Sequence, residues 1–567
     1  MKRLIECVPN FSEGNNMHII DEIVDCMKTV EGVSIIDVDP GKATNRTVVT
    51  MVGEPELVCE AAFKGVKKAS ELIDMSKHHG AHPRFGATDV CPLIPVAGIT
   101  MEETAELARN LAKRIGEELD IPVYCYENAA FKPERRNLAS CRSGEYEALG
   151  ERLKSADWHP DFGPREFNAH TMKTGATAVG ARNFLVAYNV NLNTTSTRRA
   201  NSIAFDVRER GRALREGDPI TGKLVQDENG KQVMVPGSLK SVKAIGWFIE
   251  EYGVAQISMN LTDISVTPVH VAFDEVCDKA AARGIRVTGS ELVGVIPLQA
   301  MLDAGRYFLS KQKRSTGVSD KELIKIAVKS MGLDELYPFD PQKKIIEYIL
   351  EAEADKGRKK LIDMNLSDFA DETASESPAP GGGSISAYMG ALGAALSSMV
   401  ANLSSHKRGW DDRWEEFSNW AEKGKKFQTE LIKSVDEDTN AFNVIMNAFG
   451  LPKKTDEEKA NRAKAIQEAT KYATEVPFKT LKLCYESMEV AKAMAMEGNP
   501  NSVSDAGVGA IAARGGVIGA FLNVKINASG LEDKKFAEEI VSESQAIVEK
   551  AEILEKEILE IVHSKIK

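Results

Sequence analysis

The spacing of apolar residues changes once, near residue 340, and that change limits what this chain can fold into. Before it, short β-branched runs alternate with helical stretches. Residues 3–8, 33–38, 46–52, 90–96 and 122–127 read as strands, and 18–28, 54–73 and 101–119 carry apolar residues at helical spacing. The order then repeats: 184–192 predicts a strand, 197–210 a helix, 240–248 and 254–261 a hairpin, 268–283 a helix and 285–288 a strand. Two consecutive β-α-β-β-α-β runs predict two ferredoxin-like layered α/β subdomains. Beyond residue 361 nearly every segment is helical, with long patterns at 414–442, 457–472, 477–497 and 536–566, so the third part is an all-α bundle. The expected domains are 1–180, 181–337 and 361–567, with a charged, solvated connecting helix within 338–360.

Within the bundle Ile385, Met389, Leu392, Leu396, Met399 and Leu403 fall at spacings of 4, 3, 4, 3 and 4, flanked by small residues. This heptad-like seam predicts a buried core helix or a dimer helix. Residues 378–405 carry no charge, yet glycine and serine are frequent there, and a membrane span is not expected. Of 567 residues 43% are apolar, enough for several cores, and 72 basic against 84 acidic side chains give −12. That balance argues against nucleic acid or a membrane surface as partner. Anionic small molecules need a local basic pocket. The closest two of the eight cysteines lie 16 residues apart, so no CxxC pair serves zinc or redox chemistry. Reduced core thiols in a cytoplasmic protein are expected, and Glu6 interrupts the first apolar stretch too early for a signal peptide.

Three of the nine histidines crowd into Lys77-His-His-Gly-Ala-His-Pro-Arg-Phe-Gly86. His78 and His82 have the i,i+4 spacing of helical zinc ligands, but Gly80 and Pro83 oppose a helix and the intervening glutamate is missing. A general base held by a rigid loop, a metal pair and mere loop decoration are all open, the base being favoured. The turn Asp37-Val-Asp-Pro-Gly-Lys-Ala-Thr-Asn-Arg46 supplies Asp39 to orient a histidine and Arg46 to fork onto a carboxylate, or is only a turn with a surface cation. Ser377-Pro-Ala-Pro-Gly-Gly-Gly-Ser384 lacks a P-loop lysine but could offer backbone N–H groups to an anion. Gly507-Val-Gly-Ala-Ile-Ala512 imitates a dinucleotide fingerprint without a preceding strand, so no nucleotide is expected there. In Asp436-Glu-Asp438, helical arithmetic puts Asp438 about 60° from Val435 and about 40° from Phe442. It can therefore face the interior, where burial raises a carboxyl pKa, or belong to a solvated acidic face.

At these residues the chain resembles the formimidoyltransferase-cyclodeaminase family. The likeness also runs through Cys7-Val-Pro-Asn-Phe-Ser-Glu-Gly14, Gly175-Ala-Thr-Ala-Val-Gly-Ala-Arg-Asn-Phe184, Ser290-Glu-Leu-Val-Gly-Val-Ile-Pro297, Leu451-Pro-Lys-Lys454 and Val517-Ile-Gly-Ala-Phe-Leu-Asn-Val524. The resemblance implies two consecutive reactions of histidine degradation. A formimino group passes between N-formimino-L-glutamate and N5 of tetrahydrofolate, and 5-formiminotetrahydrofolate then closes to 5,10-methenyltetrahydrofolate with loss of ammonia. It implies His82 as transferase base with Asp39 and Arg46 beside it, and Asp438 as the deaminase acid-base group. It also implies a folate-binding segment at Gly163, Pro164, Arg165, Glu166, Phe167, Asn168, Ala169, His170, Thr171 and Met172, which departs from the vertebrate pattern. Tetrahydrofolate is a co-substrate, with or without a polyglutamate tail, and no metal is required. Lys453, Lys454, Lys459 and Arg462 are candidate tail contacts, as are Lys407 and Arg408, or all are ordinary surface cations. A homodimer or a ring of dimers is implied. Two other readings are formyl transfer from N-formylglutamate with a cyclohydrolase-like bundle, and a non-catalytic folate-binding scaffold.

Overall fold

A computed structural model describes residues 3–41, 45–79, 84–218, 221–354 and 360–566. The chain forms two compact units, one of Met1–Ala300 with Met331–Lys356 and one of Met301–Ser330 with Gly357–Lys567. The first is mixed α/β and the second is helical.

In the α/β unit, β1 (Leu4–Cys7), β2 (Asn10–Phe11), β3 (Val33–Gly41), β4 (Arg46–Gly53), β5 (Thr88–Ala97), β6 (Val123–Glu127) and β7 (Thr177–Ala181) share one sheet. β1 and β2 are one line of chain interrupted at Val8-Pro9, lying between β4 and β5 and antiparallel to both. β3 pairs with the outer edge of β4, and β7 and β6 extend the sheet in parallel beyond β5. Strand alternation sorts the side chains. Ile5, Cys7, Val49, Met51, Cys91 and Leu93 join the core with the helices Met17–Lys28, Pro55–Leu72 and Met101–Glu118, leaving Glu6, Val8 and Asn10 on the other face.

A second sheet holds β8 (Val186–Leu192), β11 (Val242–Ile249), β12 (Val254–Leu261) and β13 (Val287–Val293) in the antiparallel order β11-β12-β8-β13. β9 (Arg212–Ala213) and β10 (Met234–Val235) form a separate two-residue ribbon. The last strand runs further than the pattern at 285–288 predicts, because Ser290 and Leu292 bury their side chains along it. The connecting helix expected within 338–360 is not one solvated helix over its described residues. The described part breaks into Pro341–Lys344 and Ile346–Ala354, and Ile345 and Ile346 are fully buried, Ile345 bridging to Ile296.

The helical unit contains Gly382–Ser405, Trp414–Phe449, Asp456–Glu497, Val503–Ser529 and Lys534–Lys565. Met301–Ser330, which the sequence reading assigned to the second α/β subdomain, groups with this unit. Two predicted helices, 457–472 and 477–497, are one helix with Pro477 inside. The carbonyl of Ala473, deprived of the proline N–H, instead accepts from Asn527 Nδ2 at 2.6 Å. The seam on Gly382–Ser405 does not form the unit's core. Met389, Leu392, Met399 and Leu403 are 36–46% exposed, while Ala387, Ala391, Ala394 and Ala401 are buried. The small face wins because it admits Val503–Ser529 at close range; a Cβ on Gly393 would stand 2.8 Å from Ala513 N. The glycines of the false dinucleotide pattern lie inside that second helix. Both helices are long and apolar enough to cross a membrane, and both are at least half buried in the unit.

Candidate functional site

The free face of the first sheet lines a cleft of about 420 Å³ with Glu6, Val8, Asp37, Val48 and Thr50. Arg182, Phe184, Ala187, Val293, Lys343 and Lys344 complete its walls. Register places the predicted pair on this same face. Asp39 is paired with Val48, and Arg46 is two residues before it. Arg46 is half-buried, donates to Asn10 Oδ1, and holds Nη1 3.6 Å from Asp89 Oδ2. Arg142 Nη1 donates to the same oxygen at 2.5 Å. Burial pushes the Arg46 guanidinium below its ordinary range, with the Asp89 carboxylate opposing and Arg142 adding to the shift. The result is a fixed cation two residues along β4 from Val48, on the sheet face whose cleft carries Arg182, Lys343 and Lys344 beside Glu6 and Asp37. A guanidinium held this way can fork onto a carboxylate.

The histidine loop is tied to this hairpin. Asn45, with a left-handed backbone (φ 49°), accepts from Gly14 N at 3.0 Å and donates to the His79 carbonyl at 2.8 Å. Its own carbonyl meets His78 Nε2 at 2.8 Å, so buried His78 is a structural clasp. Arg84 anchors the far side through the carbonyls of Met75 and His78 and an ion pair with Glu147. His82 itself lies outside the described residues. Glu6 has its carboxyl pushed up to about 7 by burial, with Arg182 pulling the other way.

The 163–172 segment forms a capped helical turn. Gly163 and Pro164 precede it, with Gly163 left-handed (φ 85°), Arg165, Glu166 and Ala169 are exposed, and Phe167 packs on Tyr146. Asn168 caps the helix Ala169–Thr174 by accepting from the N–H groups of His170 and Thr171. Thr171 is buried, His170 Nε2 meets the Leu119 carbonyl at 2.9 Å, and the Met172 carbonyl accepts from Tyr146. None of these ten residues lines the cleft.

In the helical unit the acidic triplet on Trp414–Phe449 is split three ways. Asp436 Oδ1 accepts from Leu361 N at 2.7 Å, and Glu437 accepts from the Tyr472 hydroxyl. Asp438 turns to the start of the helix Gly382–Ser405. Ser384 Oγ lies 2.9 Å from the Val435 carbonyl and 3.2 Å from Asp438 Oδ2, and the Ser384 N–H also serves Asp438. Gly383 has no room for a side chain, since a Cβ there would stand within 2.6 Å of Asp438 Oδ2. Half-buried, Asp438 has its carboxyl raised by desolvation, with Ser384 opposing. Ser384 and the positive end of the helix still favour the carboxylate. This is a sheltered group able to take up and return a proton. The glycine run thus works by close backbone approach to Asp438.

Lys453 and Lys454 are exposed, whereas Lys459 pairs with Asp456 at 2.8 Å and Arg462 donates to the Phe449 carbonyl. Lys407 stands 3.9 Å over the Trp410 ring, beside Arg408. Among the described residues no group of three His, Cys, Asp or Glu could hold a metal ion.

Sequence reasoning missed Asp89, Arg142, Asn10 and Ser384. Asp89 had a usable signal: an acid heading the apolar strand 90–96 must find a buried partner. A polar row on the second sheet was also missed. Asn189 and Asn191 share the Ala187 face of β8, and Asn189 Nδ2 donates to Glu291. Glu291 also accepts from Tyr337 at 3.0 Å.

Residues 4–182 match the family described as formiminotransferase domain, N-terminal subdomain, 187–351 the formiminotransferase domain, and 365–546 formiminotransferase-cyclodeaminase. The formimidoyltransferase-cyclodeaminase of Mus musculus is 42% identical over 552 residues, 97% of each chain. The glutamate formimidoyltransferase of Streptococcus pyogenes serotype M1 is 41% identical over 309 residues, 54% of this chain and 94% of its own. The methenyltetrahydrofolate cyclohydrolase of Methylorubrum extorquens is 43% identical over 198 residues, 35% of this chain and 95% of its own.

Proposed function

The chain belongs to the formimidoyltransferase-cyclodeaminase family, and from that premise we propose a two-step path for its folate substrate. It is a bifunctional enzyme that transfers the formimino group from N-formimino-L-glutamate to N5 of tetrahydrofolate. It then cyclises 5-formiminotetrahydrofolate to the 5,10-methenyl form with release of ammonia. The family places both steps in histidine degradation.

In the first step N5 attacks the formimino carbon, a tetrahedral centre carrying three nitrogens forms, and the glutamate amine leaves with a proton. His82 moves that proton, Asp39 orients it, and Arg46, fixed by Asn10 and Asp89, takes a carboxylate of formiminoglutamate. In the second step N10 attacks the same carbon within one molecule. Asp438 accepts the N10 proton and returns it to the departing nitrogen, which leaves as ammonia. Because the reacting atoms are already joined, holding the ring geometry and moving the proton is most of the task. The observation that carries this reading is Asp438, half-buried against a glycine run and hydrogen-bonded to Ser384.

The finer reading follows the same logic. The strand order of both β-α-β-β-α-β runs supports calling each subdomain ferredoxin-like. The segment 163–172 serves folate through exposed members that include Arg165 and Glu166. Lys453 and Lys454 meet the polyglutamate tail, with Lys459 and Arg462 behind them, and no metal takes part. The exposed row Met389, Leu392, Met399 and Leu403, beside Val508 and Ile511 of the neighbouring helix, supports a homodimer through the helical unit, alone or within a ring. Free thiols at all eight cysteines support a reducing, cytoplasmic setting.

The test follows methenyl-folate absorbance and ammonia in a mixture of protein, tetrahydrofolate and formiminoglutamate. His82→Ala blocks formation of 5-formiminotetrahydrofolate, and Asp438→Asn accumulates it. Wild type that makes neither product, or that uses N-formylglutamate without ammonia, overturns the reading.

A further inference from the structure

A second cavity in the α/β unit, of about 560 Å³, lies away from the cleft between the helix Thr197–Val207 and the β9–β10 ribbon. Arg198, Arg208, Arg210, Arg212 and Arg215 line it, and among the described residues no acidic side chain does. Asp206, behind the wall, is shared by Arg212 and Arg283, and Asp218 is within electrostatic reach. Asp206 and Asp218 thus bring two carboxylates to a cluster of five lining guanidinium groups and Arg283. Arg210 makes no hydrogen bond or ion pair among the described residues. The crowding registers in the arginines themselves: Arg208 is pushed down by burial and by Arg210, and Arg212 by burial, Arg283 and Arg215, with Asp218 opposing. Several are held in place despite this repulsion. Arg208 stacks on Phe205 at 3.8 Å and bonds the Gly211 carbonyl, and Arg215 bonds the Gly222 carbonyl at 2.7 Å. Another large cavity with several bases, lined by Arg306, Lys423 and Lys426, intersperses Glu422, Glu430 and Asp320 among them. The arginine cavity has no acidic side chain interspersed in its lining among the described residues, in a chain that is −12 overall.

We propose that this arginine cavity binds an oligophosphate, either the triphosphate of a nucleotide or a free chain of linked phosphates. Guanidinium forks match phosphate oxygens two at a time, and several forks around one cavity call for a ligand with several closely spaced anions. The volume falls within the range of about 300–1,000 Å³ typical of small-ligand sites. The site shares no lining residue with the cleft.

The experiment titrates the full chain with tripolyphosphate by calorimetry at low and at physiological salt, beside ATP, adenosine and tetra-γ-glutamate. Tripolyphosphate binds, its affinity falls as salt rises, and Arg210→Gln and Arg215→Gln each weaken it about tenfold or more with unchanged circular dichroism. ATP binding tighter than tripolyphosphate, with adenosine silent, supports the nucleotide source; the reverse order supports the free chain. No heat up to millimolar tripolyphosphate, equal binding in both variants, or equal or tighter binding of tetra-γ-glutamate overturns the proposal. Salt dependence in the wild type keeps the test decisive if a variant fails to fold.

Discussion

Replacing Gly383 by alanine should remove the deaminase activity and leave the transferase intact. An added Cβ would lie within 2.6 Å of Asp438 Oδ2 and closer still to Cγ and Oδ1. Cβ atoms are essentially never found nearer than 3.0 Å to another heavy atom, so the carboxyl must retreat. The nearest atom has to move on the order of 1 Å, which for a proton-transferring group costs about 10²-fold in rate, or about 2.7 kcal/mol of barrier. The backbone does not object, since alanine in a helix is favoured over glycine by up to about 1 kcal/mol. Melting should therefore hold while rate falls. Neighbouring glycines supply the controls. At Gly382 an added Cβ meets only the Asn523 amide at 3.2 Å, and at Gly381 only the Pro378 carbonyl at 3.7 Å. The assay supplies 5-formiminotetrahydrofolate and reads methenyl-folate and ammonia. Loss should be severe for Gly383→Ala, small for Gly382→Ala and negligible for Gly381→Ala. If Gly383→Ala keeps more than half the wild-type rate while Asp438→Asn is dead, close approach of backbone to carboxyl is not what the glycine provides.

Other consequences can be checked in parallel. Ser384 opposes the burial that raises the Asp438 carboxyl, so Ser384→Ala should move the acid limb of the deaminase pH profile further up; an unmoved limb means another group controls it. The Glu6 carboxyl, near 7 when folded against an ordinary 4.5, contributes fully to stability below 4.5 and loses that contribution as pH rises through 7, about 3 kcal/mol in all. Melting of Glu6→Gln should gain on wild type between pH 5 and pH 8, and no gain would mean Arg182 already holds the carboxylate ionised. Asp89→Asn leaves Arg46 and Arg142 without their shared anion. It should abolish transfer and destabilise the α/β unit by about 3–5 kcal/mol, with deamination of supplied 5-formiminotetrahydrofolate retained. Leu392→Glu with Leu403→Glu should lower the sedimenting mass, and an unchanged mass would place the subunit interface elsewhere.

How much of this was legible in sequence depended on whether a side chain's fate is decided locally. Hydrophobic period located most strands of both α/β runs and the helical third part, because burial on one face is imposed residue by residue. It missed β7, whose Thr177-Ala-Val-Gly-Ala181 is buried on both faces and so shows no alternation. The same arithmetic put Asp438 near the apolar face of its helix, where it lies half-buried. It failed on Gly382–Ser405, where the large residues form the better seam but the small ones are buried. Which stripe faces inward is set by how near Val503–Ser529 can come, a property of two helices that neither sequence segment carries alone. Pro477 misled for the same reason, since a remote Asn527 satisfies the carbonyl that would otherwise end the helix. Asp89 and Arg142 are 53 residues apart, and no spacing rule joins them.

The two reactions ask different things of their scaffolds, and the side chains answer accordingly. Transfer brings two molecules together, and formiminoglutamate is anionic, so its site must attract charge within a chain that is −12 overall. In the proposed transferase site, a cleft bearing Arg182, Lys343 and Lys344, with Arg46 held by Asp89 on the same sheet face, would do so by fixing cations before the ligand arrives. Preorganised charge of this kind keeps most of its strength because it need not rearrange on binding. Ring closure brings nothing new together. Its reacting nitrogen and carbon already share one molecule, so attraction adds little and a misplaced proton costs most. There the chain gives up side chains: glycines let backbone press against Asp438, and one serine sets the carboxyl's orientation. A site built this way tolerates loss of surface charge but not one added methyl group at Gly383, whereas the cleft should show the opposite sensitivity.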